Sequence, residues 1–185
     1  MKNYNRITLT VFLLLFPFFV FAQSNDTLFI QKDAKGNARF VRFTSGKNQE
    51  RNMNKDTVFL KTFYKTDKND GFRKIQEGSL PKDIPFKKFQ QYYKGLQVDN
   101  AQVIIYGKNN NIEVVTGDFQ DIDIENVKPS LNEEQALKKA LAFVGAKKYK
   151  WEDKSIKASL KENTANSKAT YFPKGELVIA KDNLK

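Results

Sequence analysis

The chain contains no cysteine and no histidine, and these two absences remove most of the chemistry that a protein of this size can carry. Without cysteine no disulfide can support the fold, so the hydrophobic core must do it. Without histidine no Ser-His-Asp triad, no Cys-His pair and no His-Glu-x-x-His zinc site can be assembled. Acid-base work would rest on carboxylates alone. The densest set of these, Asp118, Asp121, Asp123 and Glu125, alternates with Phe119, Ile122 and Ile124 as a solvated stretch does. It lacks the turn glycine and terminal glutamate of a calcium loop. On these grounds no catalytic residue, metal ligand or cofactor is assigned to the chain, and it is not expected to be an enzyme.

Acidic residues are also scarce, 21 against 32 basic ones. A basic protein can bind nucleic acid, an anionic surface or an acidic protein. The lysines here are scattered, in runs no longer than two, with no arginine-rich stripe or aromatic basic motif. That pattern argues against a nucleic-acid partner and for a solvated surface or an acidic protein partner.

Long hydrophobic runs are limited to one, Val11 to Phe21, behind Lys2 and Arg6 and broken by Pro17. It is too short to span a bilayer and reads as an export signal over residues 1–22. Val20-Phe21-Ala22 suits a signal peptidase, which places the cut between Ala22 and Gln23. The product is expected to be secreted or periplasmic, with no stable membrane anchor after cleavage. Taking the 22 residues, with Lys2 and Arg6 as their only charges, from the 185 leaves 163 residues and a formal charge of +9. That length suffices for one large domain or two small ones with a real core.

What is present is patterned. Leu28-Phe29-Ile30 and Phe40-Val41-Arg42-Phe43, separated by Asp33-Ala34-Lys35-Gly36-Asn37, predict a hairpin. Asp56 to Tyr64 is ambiguous: Phe59, Leu60 and Phe63 fit a helical stripe, whereas Val58, Leu60, Thr62 and Tyr64 alternate. Phe86 to Tyr93 predicts an aromatic strand that turns at Lys94-Gly95. Leu96 to Tyr106 returns, with a bulge near Asp99-Asn100, and Asn109-Asn110-Asn111 turns the chain into a third strand, Ile112 to Thr116, closed by Gly117.

After a link from Asp121 to Pro129 the period changes. Ala136, Leu137, Ala140, Leu141 and Val144 form one stripe of a helix capped by Asn132 with Gln135, or by Ser130 with Glu133, and ended by Gly145. Lys154 to Thr170 reads as a long loop or weak amphipathic segment. Glu176 to Ala180 reads as a strand that must either join another sheet or await chain beyond this sequence.

The stretch FQQYYKGLQV at Phe89 to Val98, followed by AQVIIYGKNNNIEVVTGDF, closely resembles the fungalysin/thermolysin propeptide motif. The helix LNEEQALKKALAFVGA, the Tyr149 to Trp151 element and YFPKGELVIA are similar to the first part of a PepSY domain, which follows that motif in thermolysin-family precursors. The helical reading of Asp56 to Tyr64 also fits the place where the family has a helix. Where many members carry histidine this chain has Phe86 and Tyr106, so no role of those imidazoles is carried over.

The resemblance implies the pro-region of a secreted zinc metalloendopeptidase, an intramolecular folding chaperone and inhibitor of a thermolysin-like catalytic domain bound in cis or in trans. That domain, with its zinc and calcium, is expected outside this chain. The alternative is a free-standing exported protease inhibitor or binding module. The implied architecture is α+β, two small cystatin-like modules, each a helix packed on an antiparallel sheet, at residues 23–124 (the propeptide module) and 125–185 (a partial PepSY domain, the second module incomplete). The motif and partner-binding candidates are Phe89, Gln90, Gln91, Tyr92, Tyr93, Gly95, Val98 and Gly117. Alternation sends Gln90 and Gln91 to opposite faces, so one is expected to bond neighbouring backbone and the other to lie at a partner surface.

Overall fold

A seven-stranded sheet organises the chain in the computed structural model, which describes residues 26–46 and 48–181. The predicted leader and the cleavage pair Ala22 and Gln23 lie outside the described residues. In chain order the elements are β1 (Thr27–Lys32), β2 (Ala38–Phe43), α1 (Asp56–Phe63), β3 (Asp70–Leu80), β4 (Ile84–Tyr93), β5 (Leu96–Lys108), β6 (Asn111–Gly117), α2 (Glu133–Val144), α3 (Lys154–Asn163) and β7 (Val178–Ile179). The architecture is α+β. Six strands lie in the order β1-β2-β6-β5-β4-β3, each antiparallel to its neighbour, and β7 adds to β5 in parallel.

The turns follow from residues that tolerate left-handed backbone. Lys94 and Gly95 (φ 46° and 84°) and Asn109 and Asn110 (φ 51° and 63°) close two-residue hairpins. Positive φ at both central positions matches the right-handed twist of the flanking strands. Patterning gives no strand over residues 70–80, yet β3 forms there. Only Phe72 of β3 is buried, so this edge strand carries almost no alternation, and its pairing with β4 rather than its own burial defines it.

The period of residues 56–64 is resolved by packing. As a helix, α1 buries Phe59 and Leu60 and leaves Val58 63% exposed. It lies on one face of the sheet over Val41, Phe43, Val103, Ile105, Val115 and Phe89, all under one-tenth exposed. Its C-terminal end makes an aromatic seam: Phe59 stacks on Phe63 at 5.5 Å, and Tyr64 stacks on Phe119 at 4.5 Å. Aromatic pairs at these distances add to the stabilisation from burial.

A polar anchor ties the N-terminal hairpin to β6. Arg51, 3% exposed, donates from Nη1 to Ile112 O at 2.8 Å and from Nη2 to Asp26 Oδ1 at 3.0 Å, and its Nε lies 2.7 Å from Asp26 Oδ2. A buried guanidinium is tolerable only with such partners. Burial raises the Asp26 carboxyl, but the Asn48 amide, the Thr44 hydroxyl and Arg51 outweigh it and hold the pKa below its ordinary value.

Two helix-on-sheet modules were expected, but among the described residues there is one sheet: residues 126–181 add two α-helices and one short strand that joins β5, because that strand finds the free edge of β5 rather than a sheet of its own. α2 forms through its ends: Asn132 and Gln135 make the reciprocal capping box at 2.8 and 3.1 Å, and Gly145 exits at φ 60°. Its apolar stripe is only partly covered: Leu137 and Leu141 are half-buried, and no residue of α2 is fully buried. Residues 154–163 are helical rather than loop, capped by the Asp153 carboxylate on the Ser155 and Ile156 amides. Of the two fates open to the last strand, joining another sheet is the one observed: Val178 pairs with Gln97 and Ile179 with Val98. β6 leaves β5 at Gly117, so that edge of β5 is free there, while β4 holds the other edge through Tyr92 and Gln97.

Candidate functional site

All eight motif candidates lie on or between β4, β5 and β6, around one irregularity. Gln90 pairs with Gln102 and Tyr92 with Gln97, so on β4 Gln91 alone faces the four residues from Val98 to Ala101 on β5. This is the bulge expected near Asp99-Asn100, with Asn100 at φ 56°. A bulge of this size leaves backbone carbonyls without strand partners, and buried carbonyls need donors.

Gln90 supplies them. Its Nε2 donates to Val98 O at 2.6 Å and Ala101 O at 3.0 Å and also lies 3.2 Å from Gln91 O, while its Oε1 accepts from Gln102 Nε2 at 3.1 Å. The side chain stands in for the missing stretch of ladder. Gln91, on the opposite face, grips the chain that leaves β6: Nε2 donates to Gln120 O at 2.8 Å and Asp70 Oδ1 at 3.1 Å, and Oε1 accepts from Gln120 N at 2.9 Å. Gln90 is 3% and Gln91 0% exposed. Both glutamines therefore bond within the chain, because the bulge backbone covers one face and the exit segment covers the other. Neither amide lies at the surface.

The other candidates sort by depth. Phe89 is fully buried in the α1-side core. Tyr93 and Val98 form a smaller core with Ala101, against which Ile122, Val127 and Ile179 pack, and the Tyr93 hydroxyl donates to Ile124 O at 3.3 Å. Tyr92 is half-buried, with the Arg73 guanidinium 3.9 Å from its ring centroid. Gly95 is exposed in its turn. Gly117 has φ 140°, and a Cβ there would sit 2.1 Å from Gln102 O, so only glycine lets β6 pass this close to β5. The bulge, its glutamine seal and Gly117 thus make the platform on which β7 seats.

Asp70 and Gln120 belong to this cluster although nothing in the sequence pattern marks them. Burial is the largest influence on Asp70 and raises its carboxyl; the Gln91 amide opposes it, and the charges of Asp67 and Asp121 add to the rise. The Tyr64 hydroxyl is buried without a hydrogen-bond partner, and burial, then the Asp118 charge, pushes its pKa up. Asp118 itself pairs with Arg39. Lys94 Nζ donates to Ile124 O and Glu125 O at 2.9 and 2.6 Å, so the acidic stretch is held through its backbone. Among the described residues no group of three or more His, Cys, Asp or Glu side chains is placed to hold a metal, and no helix is long and apolar enough to cross a membrane.

One concavity of about 680 Å³ runs between α2 and the approach to β7, lined in part by Leu131, Ala136, Leu137, Ala140, Pro173 and Leu177. Glu133 Oε1 accepts from Gly175 N there at 2.7 Å. Ser130, Lys174 and Glu176 also line it.

No curated protein and no solved structure matches the chain. A family model does match, over residues 87–119, a span that opens inside β4, closes just after β6 and contains every motif candidate from Phe89 to Gly117. Over that span the chain carries the fungalysin/thermolysin propeptide motif, the signature of the propeptides of thermolysin-family peptidases.

Proposed function

We propose that the chain is the pro-region of an exported thermolysin-type zinc endopeptidase, without catalytic groups of its own, which assists folding of the catalytic domain and holds it inactive until removal. The observation that carries this reading is the propeptide motif over residues 87–119. In this reading residues 1–22 are the export signal, residues 23–124 the propeptide module and residues 125–185 part of a PepSY domain. The zinc belongs to the catalytic domain. A folding aid of this kind needs a preformed rigid surface, and the sealed bulge and covered core at β4 to β6 support one. Slow, non-local β pairing in a client is the step such a surface can assist.

The test adds the purified exported chain to a denatured thermolysin-like catalytic domain from the same genome during refolding, and separately to the active enzyme. Recovery of activity during refolding, with stoichiometric inhibition of the native enzyme, is the expected pair of results. Inhibition without any gain in refolding would leave a free-standing inhibitor, and neither effect would end the pro-region reading.

A further inference from the structure

The two faces of the sheet differ in kind. One is covered by α1 and holds the core. On the other, the strand register assembles two rows that run across the sheet. The first is Phe86, Tyr106, Val114, Arg42 and Phe29, from β4 through β5, β6 and β2 to β1. The second is Lys88, Ile104, Thr116, Phe40 and Gln31, over the same strands. None of the ten is buried, whereas the α1-facing neighbours Val41, Phe89, Val103, Ile105 and Val115 are at most 1% exposed. Rings meet along and between the rows: the centroids of Phe86 and Tyr106 lie 6.3 Å apart within the first, and those of Phe29 and Phe40 5.9 Å apart across the two. The Phe86 ring lies over Gly78 of β3, 3.0 Å from where a Cβ would stand. Arg73 on Tyr92 extends the face toward the β3 edge.

Composition tells what fits such a face. Six of the ten residues are apolar or aromatic, the two charged ones are basic, and none is acidic. Exposed aromatics set among arginines mark protein interfaces, and the missing sign of charge is the one a partner supplies. Strands about 4.8 Å apart and same-face residues about 6.6 Å apart make these two rows about 300 Å², the centre of an interface to which one partner contributes about 800 Å². A second copy fits poorly. A two-fold contact sets the same patch against itself, so Arg42 and Lys88 meet a patch whose charged residues are again basic.

We propose that this outer sheet face, centred on Phe86 and Tyr106 and flanked by Arg42 and Lys88, is where the chain docks on the catalytic domain, through a patch of that domain that is apolar at its centre and acidic at its rim. The proposal rests on the pro-region reading and adds the surface and the chemistry of its partner. The face stands opposite α1, so the α1-covered core stays intact on docking.

The exported chain is tested against a purified, zinc-loaded thermolysin-like catalytic domain from the same genome, with inhibition and calorimetric binding as readouts. Arg42→Glu with Lys88→Glu, and separately Tyr106→Ser, are compared with Lys61→Glu plus Lys65→Glu on the α1 side, and thermal melting confirms that each variant folds. The expected result is binding weakened roughly tenfold or more by both outer-face variants and unchanged by the α1-side pair. Wild-type inhibition that both folded outer-face variants retain overturns the proposal and leaves the pro-region reading standing. A wild-type chain that binds no such domain removes both. Sedimentation showing a dimer that Tyr106→Ser dissolves assigns the face to self-association and overturns the proposal as well.

Discussion

Gln90→Met isolates what the first motif glutamine does. Methionine keeps the volume and flexibility of the side chain but removes both donors and the acceptor. In the wild type the amide donates to Val98 O and Ala101 O, inside a site 3% exposed. Leaving a buried carbonyl without a donor costs about 1–3 kcal/mol, so two of them cost about 2–6 kcal/mol. A volume-conserving swap in a core that was held only by packing costs less than about 1.5 kcal/mol. The two explanations therefore separate. Urea denaturation of the exported chain gives the free energies directly, and the corresponding fall in melting temperature is about 2–4 °C per kcal/mol for a chain of this size. Gln90→Glu sharpens the comparison, because a carboxylate offers the same shape with acceptors facing acceptors, and it is expected to be at least as damaging as methionine. Gln102→Ala, which removes one bond at a half-buried position, is expected to cost only about 0.5–1.5 kcal/mol. A loss below about 1 kcal/mol for Gln90→Met would refute the account of the bulge as a backbone gap sealed by a side chain.

Tyr64→Phe removes a buried hydroxyl that has no partner and keeps the ring stack on Phe119. It is expected to leave stability unchanged or raise it by up to about 1 kcal/mol, checked by urea denaturation. Asp70→Asn keeps an acceptor for Gln91 and removes the charge. The folded-state pKa of Asp70 is raised above its ordinary 3.8, so its contribution is fully present below that value and lost as pH rises through the folded pKa. The variant is therefore expected to melt at or above the wild type at pH 7, with the difference vanishing at pH values below 3.8, and a variant less stable at pH 7 would contradict the assignment. Gly117→Ala would place a methyl 2.1 Å from Gln102 O at a φ of 140°. It is expected to cost about 3 kcal/mol or more, or to prevent folding, as read from soluble yield and from the exchange protection of β5 and β6 amides.

The hairpin of β1 and β2, the aromatic strand β4, the Asn-Asn turn, the bulge and the capped helix α2 are local matters, and residues such as Gly95, Asn110, Asn132 and Gly145 declare them in the sequence by what their own backbone and side chains prefer. The same holds for the chemistry excluded by the lack of histidine and cysteine, and for the propeptide motif itself. Tertiary structure decided the rest. The period of residues 56–64 became helical because Phe59 and Leu60 found the sheet. β3 exists because β4 needed a partner along its free edge. Alternation separated Gln90 from Gln91, but only the folded chain, with the bulge on one side and the Asp118 to Gln120 exit on the other, buried both. Pairing, covering and charge satisfaction join residues far apart in sequence, and no local preference encodes which distant carbonyl a side chain will meet.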